Sequence, residues 1–124
     1  MIGIGIDAVD VARMRAIVAR RPGFVTRVFT DAEQAYAESA KDSAERYAAR
    51  FAAKEAVLKA LGVGLWKAKL SEIEVVRDAE SGAPALRLTG AAADLATERG
   101  VGRWLVSLTH TDTIAQAVAV ALAD

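Results

Sequence analysis

The longest helical pattern in the chain runs from Ser43 to Leu61 and ends at Gly62. It is rich in Ala, Leu, Glu, Lys and Arg, which favour helices, and glycine commonly terminates a helix. A second distinctive stretch lies at residues 2–6, where Ile and Gly alternate. That alternation predicts a strand whose glycines let another backbone or a ligand come close. These two stretches are the clearest structural signals.

Shorter elements follow from capping and turn residues. Asp10 can cap a helix from Val11 to Arg20, and Thr30 with Glu33 forms a capping box at the start of another helix. After the long helix the pattern changes to short strands, with one further short helix. The predicted strands are 73–77, 85–89, 104–109 and 114–122, and the short helix is 91–99.

The element order is therefore strand and helix, more helices, then two strands, a helix and two strands. The first strand pair flanks a turn at 81–84 and should form a hairpin, and the last two strands read as largely buried. With 124 residues, 53% of them hydrophobic, the chain fits one domain spanning 1–124. We expect an α+β fold with an antiparallel sheet packed against the long central helix.

Composition restricts the chemistry. The chain has no cysteine, which excludes disulfides, thiolate metal ligands and a cysteine nucleophile. Its one histidine, His110, excludes a zinc site made of several histidines. A metal would have to be held mainly by carboxylates, which favours Mg²⁺ with Mn²⁺ as the alternative. No apolar run approaches a membrane span, so we expect a soluble, unexported protein.

Charge is balanced overall, with 16 basic and 16 acidic residues, but its distribution is uneven. Residues 1–30 contain five arginines and only two acidic residues, Asp7 and Asp10. A local positive surface of this kind is suited to docking an acidic partner, although an ordinary solvated helix face would look the same.

Two acidic residues suggest a metal site. Asp7 follows the glycine-rich strand, where an acid is expected to be partly buried and to need a cation. Paired with Glu55 it would supply two carboxylates to Mg²⁺, which takes further oxygens from water and phosphate. The long helix carries Arg46, Arg50 and Lys54 at intervals of four, with Lys59 four residues after Glu55. These cations could hold a pyrophosphate, or they could be an ordinary solvated face.

Two other motifs do not support a site. Ser107 and His110 would lie on opposite faces of one strand, which argues against a catalytic triad. The glycines at positions 3 and 5 match part of a dinucleotide-binding fingerprint, but no strand precedes them. Nicotinamide and flavin chemistry are therefore discounted.

Taken together, four segments resemble the holo-acyl-carrier-protein synthases, the short bacterial class of 4′-phosphopantetheinyl transferases. The resemblance covers essentially the whole chain. It rests on GIGIDAVDVAR at 3–13, FTDAE at 29–33, RFAAKEAVLKALG at 50–62 and SLTH at 107–110. These enzymes move the phosphopantetheine arm of coenzyme A onto a serine of apo acyl carrier protein and release adenosine 3′,5′-bisphosphate.

The resemblance also implies residue roles. Asp7 and Glu55 would bind Mg²⁺ with the coenzyme A pyrophosphate, and either Glu55 or a metal-bound water would take the serine proton. Lys59 would assist the leaving phosphate. Asp7, Glu55 and Lys59 thus form the expected catalytic set. The expected coenzyme A contacts are Arg50, Lys54, Lys59, Gly62, Ser107 and His110.

The family's assembly and partner give two more expectations. Its members usually form trimers with coenzyme A at subunit interfaces, so a homotrimer is expected here. We also expect the protein to be cytoplasmic. Its acidic carrier protein docks on the first helix, which assigns that contact to Arg13, Arg20, Arg21, Phe24 and Arg27. The carrier protein could belong to fatty-acid or polyketide synthesis. Two other functions stay open: a non-catalytic coenzyme A binding module, and a metal-dependent phosphohydrolase acting on nucleotides.

Overall fold

The structure is a computed structural model that describes residues 1–124, apart from the side chain of Trp66. The described residues form five strands and five helices, with two single turns of 3-10 helix, Leu65–Lys67 and Leu70–Glu72, after the longest helix. The elements in chain order are β1 Gly3–Asp10, α1 Val11–Arg20, α2 Phe24–Val28, α3 Asp31–Glu38, α4 Ser43–Leu61, β2 Ile73–Arg77, β3 Pro84–Leu88, α5 Gly90–Glu98, β4 Arg103–His110 and β5 Ile114–Leu122.

The α+β architecture expected from the sequence is confirmed. Strands β1, β5 and β4 form an antiparallel three-stranded sheet in that order, and β2 and β3 form the predicted hairpin. Helix α4 packs across the three-stranded sheet and contributes thirteen buried residues, mostly alanines. The predicted caps are also present, since Asp10 accepts from Arg13 N at 3.0 Å and Thr30 with Glu33 forms a capping box.

Strand β1 lies against α4 through its glycines. Side chains on a strand alternate between its two faces, so Gly3, Gly5 and Asp7 share the face toward α4. A methyl group added at Gly5 would overlap the carbonyl oxygen of Ala56 and lie 2.8 Å from Ala60 N. Because Gly3 and Gly5 have no side chains, β1 lies close to α4, and Asp7 on the same face of the strand lies at the surface of that helix.

Replacing Gly5 with Ala is expected to lower the free energy of unfolding by about 3 kcal/mol, because the backbones of β1 and α4 would have to separate. Chemical denaturation measures this loss. Gly62 is the matched control, since its φ is +72° but an added methyl group meets nothing within 4 Å. Gly62→Ala should cost only about 1–2 kcal/mol for the left-handed conformation. Equal losses in the two variants would contradict the close packing.

Two details of the sequence interpretation were wrong. Asp7 does not follow its strand but lies within it, because β1 continues to Asp10 and pairs with β5 along its whole length. Strand β4 is not largely buried. Its alternate residues are exposed, and those of β5 range from half-buried to exposed, because α4 covers one face of the sheet and leaves the other open. The open face includes Ile4, Ile6 and Leu105, which are 59%, 65% and 49% exposed.

Candidate functional site

Asp7, Glu55 and Lys59 lie together where β1 meets α4. The Lys59 ammonium donates to Asp7 Oδ1 and to the carbonyl oxygen of Ile6, both at 3.0 Å. Glu55 lies one helical turn before Lys59, and its carboxyl is close enough to Asp7 for the two charges to interact. The structure therefore brings together the three residues that the sequence assigned to catalysis.

The electrostatics of the pair favour a cation. Burial raises the pKa of Glu55, and the nearby Asp7 carboxylate raises it further, while Lys59 acts in the opposite direction. The Asp7 side chain is only 18% exposed. Two carboxylates held close together with limited access to water are stabilised by a hard cation such as Mg²⁺. Among the described side chains, no group of three or more His, Cys, Asp or Glu residues could hold a metal. Water and substrate oxygens could supply further ligands.

A pocket of about 600 Å³ connects this carboxylate pair to the first helices. Asp7 and Glu55 line one part of it, and Arg13 of α1 and Phe24 of α2 line another. A group held at the carboxylates would thus be reached from the surface of α1 and α2.

Lys54 lies inside the protein, away from the carboxylate pair. The expectation that it contacts a phosphate of coenzyme A is therefore corrected. Its ammonium is fully buried and donates to Glu33 Oε1 at 2.7 Å, to the carbonyl oxygen of Leu70 at 3.0 Å and to that of Ile73 at 2.6 Å. All three of its N–H donors are therefore used inside the protein. Burial lowers the pKa of Lys54, against the opposing effect of the Glu33 carboxylate. Lys54 joins α3, α4 and the start of β2.

Arg50 belongs to a second group of cations, around the ring of Tyr36. The guanidinium carbons of Arg46, Arg50 and Arg77 lie 3.9, 4.2 and 4.7 Å from the ring centroid. Arg50 is 7% exposed, and its buried Nε has no hydrogen-bond partner. Burial lowers the pKa of Arg50, and Arg46 and Arg77 lower it further. We call these four residues the arginine cluster.

His110 lies beside the arginine cluster. One pocket is lined by His110 together with Tyr36, Arg46, Arg50 and Arg77. The His110 Nδ1 is 3.0 Å from a carboxylate oxygen of Glu45. Sequence reasoning missed Tyr36 and Arg77 as members of this group. Arg46 had been noted only for its spacing, and nothing in the sequence places the β2–β3 hairpin next to α3.

The remaining expected coenzyme A contacts are spread over the surface. Gly62 ends α4 in a left-handed conformation, three residues beyond Lys59. Ser107 lies in β4, opposite Val118, on the open face of the sheet. The carboxylate pair and the arginine cluster line different pockets of the chain. One chain thus presents the predicted contacts in separate places.

The expected docking residues lie at the surface of α1 and α2. Arg13, Arg20, Arg21 and Arg27 are exposed, and Phe24 is half-buried against Phe29 and Phe51. Arg15, which was not in the expected set, pairs with Asp42 at the start of α4. None of the helices among the described residues has the length and hydropathy of a membrane span.

Comparisons with known proteins show the family to which the chain belongs. The family described as "4′-phosphopantetheinyl transferase superfamily" matches residues 3–121. The chain is 44% identical to a holo-[acyl-carrier-protein] synthase of Anaeromyxobacter dehalogenans over 97% of this chain and 94% of the relative.

Two solved structures have the same fold. The holo-[acyl-carrier-protein] synthase of Neisseria meningitidis superimposes with a TM-score of 0.86 at 30% identity, covering 98% of both chains. The enzyme of Helicobacter pylori, solved in complex with coenzyme A, gives a TM-score of 0.83 at 29% identity, covering 96% of this chain and 99% of that one. The resemblance seen in the sequence is confirmed: the chain belongs to the 4′-phosphopantetheinyl transferase superfamily.

Proposed function

We propose that this chain, acting as one domain over residues 1–124, transfers 4′-phosphopantetheine from coenzyme A to a serine of apo acyl carrier protein in the cytoplasm. The product would be holo acyl carrier protein, with adenosine 3′,5′-bisphosphate as the leaving group. The observation that carries the proposal is the Asp7–Glu55 pair with Lys59 beside it, in a pocket that opens toward α1. The coenzyme A complex of a relative with the same fold supports the choice of donor.

Asp7 and Glu55 would hold the metal, and the donor set fits Mg²⁺ because both ligands are carboxylates. Bound there, Mg²⁺ would neutralise charge on the coenzyme A pyrophosphate. Mn²⁺ has similar ligand preferences and is the alternative.

The protein side chains would perform the rest of the phosphoryl transfer. Lys59 can turn its ammonium from Asp7 to a phosphate oxygen, because the side chain is 54% exposed, and would stabilise the charge that develops on the leaving group. Glu55 would accept the proton of the attacking serine as a general base.

The arginine cluster supplies a second place for phosphate. Three guanidiniums share one aromatic ring, and the unpartnered Nε of Arg50 lies inside the group. Guanidiniums bind phosphate oxygens well, and a bound phosphate would offset their mutual repulsion. Arg50 and His110 remain the proposed contacts here, and Lys54 is left out because its ammonium is fully used.

A homotrimer would bring these separate parts into one site. The open face of the sheet places Ile4, Val120 and Leu105 side by side across three strands, with Ile6, Val118 and Ser107 in the adjacent row. An exposed apolar patch of this kind marks an interface. Copies packed on this face would bury it and could place the arginine cluster of one subunit near the carboxylate pair of another.

Replacing Leu105 with Asp tests the assembly. We expect the mass in solution to fall from that of three chains to that of one, because an unpaired carboxylate would be buried within the apolar interface. Light scattering coupled to size-exclusion chromatography measures the mass. Leu65→Asp is the control, since Leu65 is 52% exposed but lies outside the sheet. A Leu105→Asp protein that kept the parent mass would contradict this interface.

The carrier protein would dock on α1 and α2 through the exposed Arg13, Arg20, Arg21 and Arg27, with Phe24 as the apolar contact. Of these residues, Arg13 and Phe24 line the pocket that contains the carboxylate pair. A carrier protein bound there would present its serine to Glu55. Whether it belongs to fatty-acid or polyketide synthesis does not alter this contact.

Reversing the charge at Arg13 is expected to weaken binding of apo acyl carrier protein about tenfold and to reduce its dependence on salt. The reason is that Arg13 lies at the edge of the catalytic pocket, where an acidic partner must approach. Steady-state kinetics with varied carrier protein measures the effect as a raised KM. Arg99→Glu, an equal reversal at the exposed end of α5, should leave KM unchanged. Equal effects of the two reversals would refute the docking surface.

Release of adenosine 3′,5′-bisphosphate separates the proposal from its alternatives. A transferase requires Mg²⁺ and apo carrier protein together, whereas a phosphohydrolase would turn over without the carrier protein. A non-catalytic coenzyme A binder would release nothing under any condition. Chromatography of the nucleotide products with each component omitted in turn gives the result.

A further inference from the structure

A second pocket, of about 750 Å³, lies on the other side of α2 from the carboxylate pair. It is lined by α2, by the two 3-10 turns that follow α4, and by the start of α5. Its apolar lining comes from Val28, Leu65, Ala68, Leu70 and Ala91. Leu65 is 52% exposed, so part of this apolar surface faces solvent.

Three cations surround this apolar surface: Arg27, Lys67 and Lys69. All three are exposed, and among the described side chains none lies within 4.0 Å of a carboxylate. The one acid of the pocket is Glu72. Its carboxylate already accepts hydrogen bonds from Lys69 N at 3.2 Å and Ala91 N at 3.3 Å. The pocket therefore combines an apolar floor with net positive charge, three cations against one acid, which is suited to an acidic partner with an apolar contact.

Helix α2 joins this pocket to the catalytic one. Phe24, at its first position, lines the pocket of Asp7 and Glu55, whereas Arg27, one turn later, lines the second pocket. A protein that covers α2 to reach Glu55 would extend over the second pocket as well. Stable protein–protein complexes typically bury about 800 Å² per partner, so the docking surface is expected to extend beyond the rim of one pocket.

We propose that the second pocket extends the docking surface for the acidic carrier protein, with Lys67 and Lys69 as charge contacts and Leu65 as the apolar contact. The inference rests on the proposed function for the identity of the partner. It adds a surface on the segment between α4 and β2 that the sequence did not single out.

Lys67→Glu and Lys69→Glu, singly and together, test this surface by direct binding. Calorimetry with apo acyl carrier protein from fatty-acid synthesis should show about tenfold weaker binding for the double variant and a smaller loss for each single one. The matched control is Arg99→Glu, which should bind like the parent. Lys67→Gln with Lys69→Gln should give an intermediate loss, which separates lost attraction from new repulsion. Circular dichroism verifies the fold of each variant.

Parent-like binding by the Lys67→Glu, Lys69→Glu protein would overturn the inference. A change in its mass by light scattering would do so as well, because the pocket would then contact a second copy of the chain. Because binding is measured without turnover, these results are distinct from a failure of the transferase proposal, which would show as absent product with the unaltered protein. Kinetics of the double variant should show a raised KM for carrier protein with kcat and the KM for coenzyme A unchanged.

Discussion

Replacing Lys54 with Ala is expected to lower the free energy of unfolding by about 3–5 kcal/mol, a large part of the stability of a domain this size. The lysine ammonium is the shared partner of the Glu33 carboxylate and of the Leu70 and Ile73 carbonyl oxygens. Without it, the buried Glu33 charge loses its counterion and the buried Ile73 carbonyl loses a donor. Urea denaturation followed by circular dichroism measures the loss.

The control is Lys59→Ala, the same substitution on the same helix at a position that is 54% exposed. It should change stability by less than about 1 kcal/mol, because exposed ion pairs contribute little. Lys54→Ala should therefore mainly lower the free energy of unfolding, whereas Lys59→Ala should mainly lower the transfer rate. If Lys54→Ala kept normal stability but bound coenzyme A poorly, Lys54 would be a phosphate contact after all, and its structural role would be wrong.

Replacing Glu55 with Gln is expected to reduce the rate of transfer by roughly 10²–10³-fold, because the substitution keeps the shape of the side chain but removes a proposed metal ligand and base. The free energy of unfolding of Glu55→Gln should not fall along with its transfer rate. Burial and Asp7 raise the pKa of Glu55, so its charged form is disfavoured in the folded protein at neutral pH. A neutral side chain removes that cost and should leave the metal-free protein equally stable or more so.

Kinetics with saturating coenzyme A and a thermal unfolding curve give both readouts for Glu55→Gln. Glu98→Gln, at the exposed end of α5, is the control for loss of one negative charge and should behave like the parent. If Glu55→Gln transferred at the parent rate, the carboxylate would be neither ligand nor base, and the proposed site would be wrong.

Secondary structure was largely predictable because local signals determine it. Helix α4, the N-caps at Asp10 and Thr30, and the β2–β3 hairpin all lie where composition, capping and turn residues placed them. The exposure of β4 was not predictable in the same way. Its residues read as a buried strand, since the sequence does not show that α4 covers only one face of the sheet.

The site was predictable only in part. Asp7 could be singled out because it follows glycines in a strand, and the family resemblance gave roles to Asp7, Glu55 and Lys59 together. Lys54 was misplaced because regular spacing along α4 does not show which face is covered by α3 and β2. The arginine cluster depends on Tyr36 and Arg77 from other elements meeting α4, so no local pattern reveals it.

Intact mass spectrometry of apo acyl carrier protein, after incubation with this protein, coenzyme A and Mg²⁺, tests the transferase proposal most directly. The account predicts that the carrier protein gains the mass of one phosphopantetheine arm, and that the gain is lost with Asp7→Ala or with EDTA. An unchanged mass with carrier proteins of both fatty-acid and polyketide synthesis would contradict the proposed function. A gain that persisted without metal would contradict the role given to the Asp7–Glu55 pair.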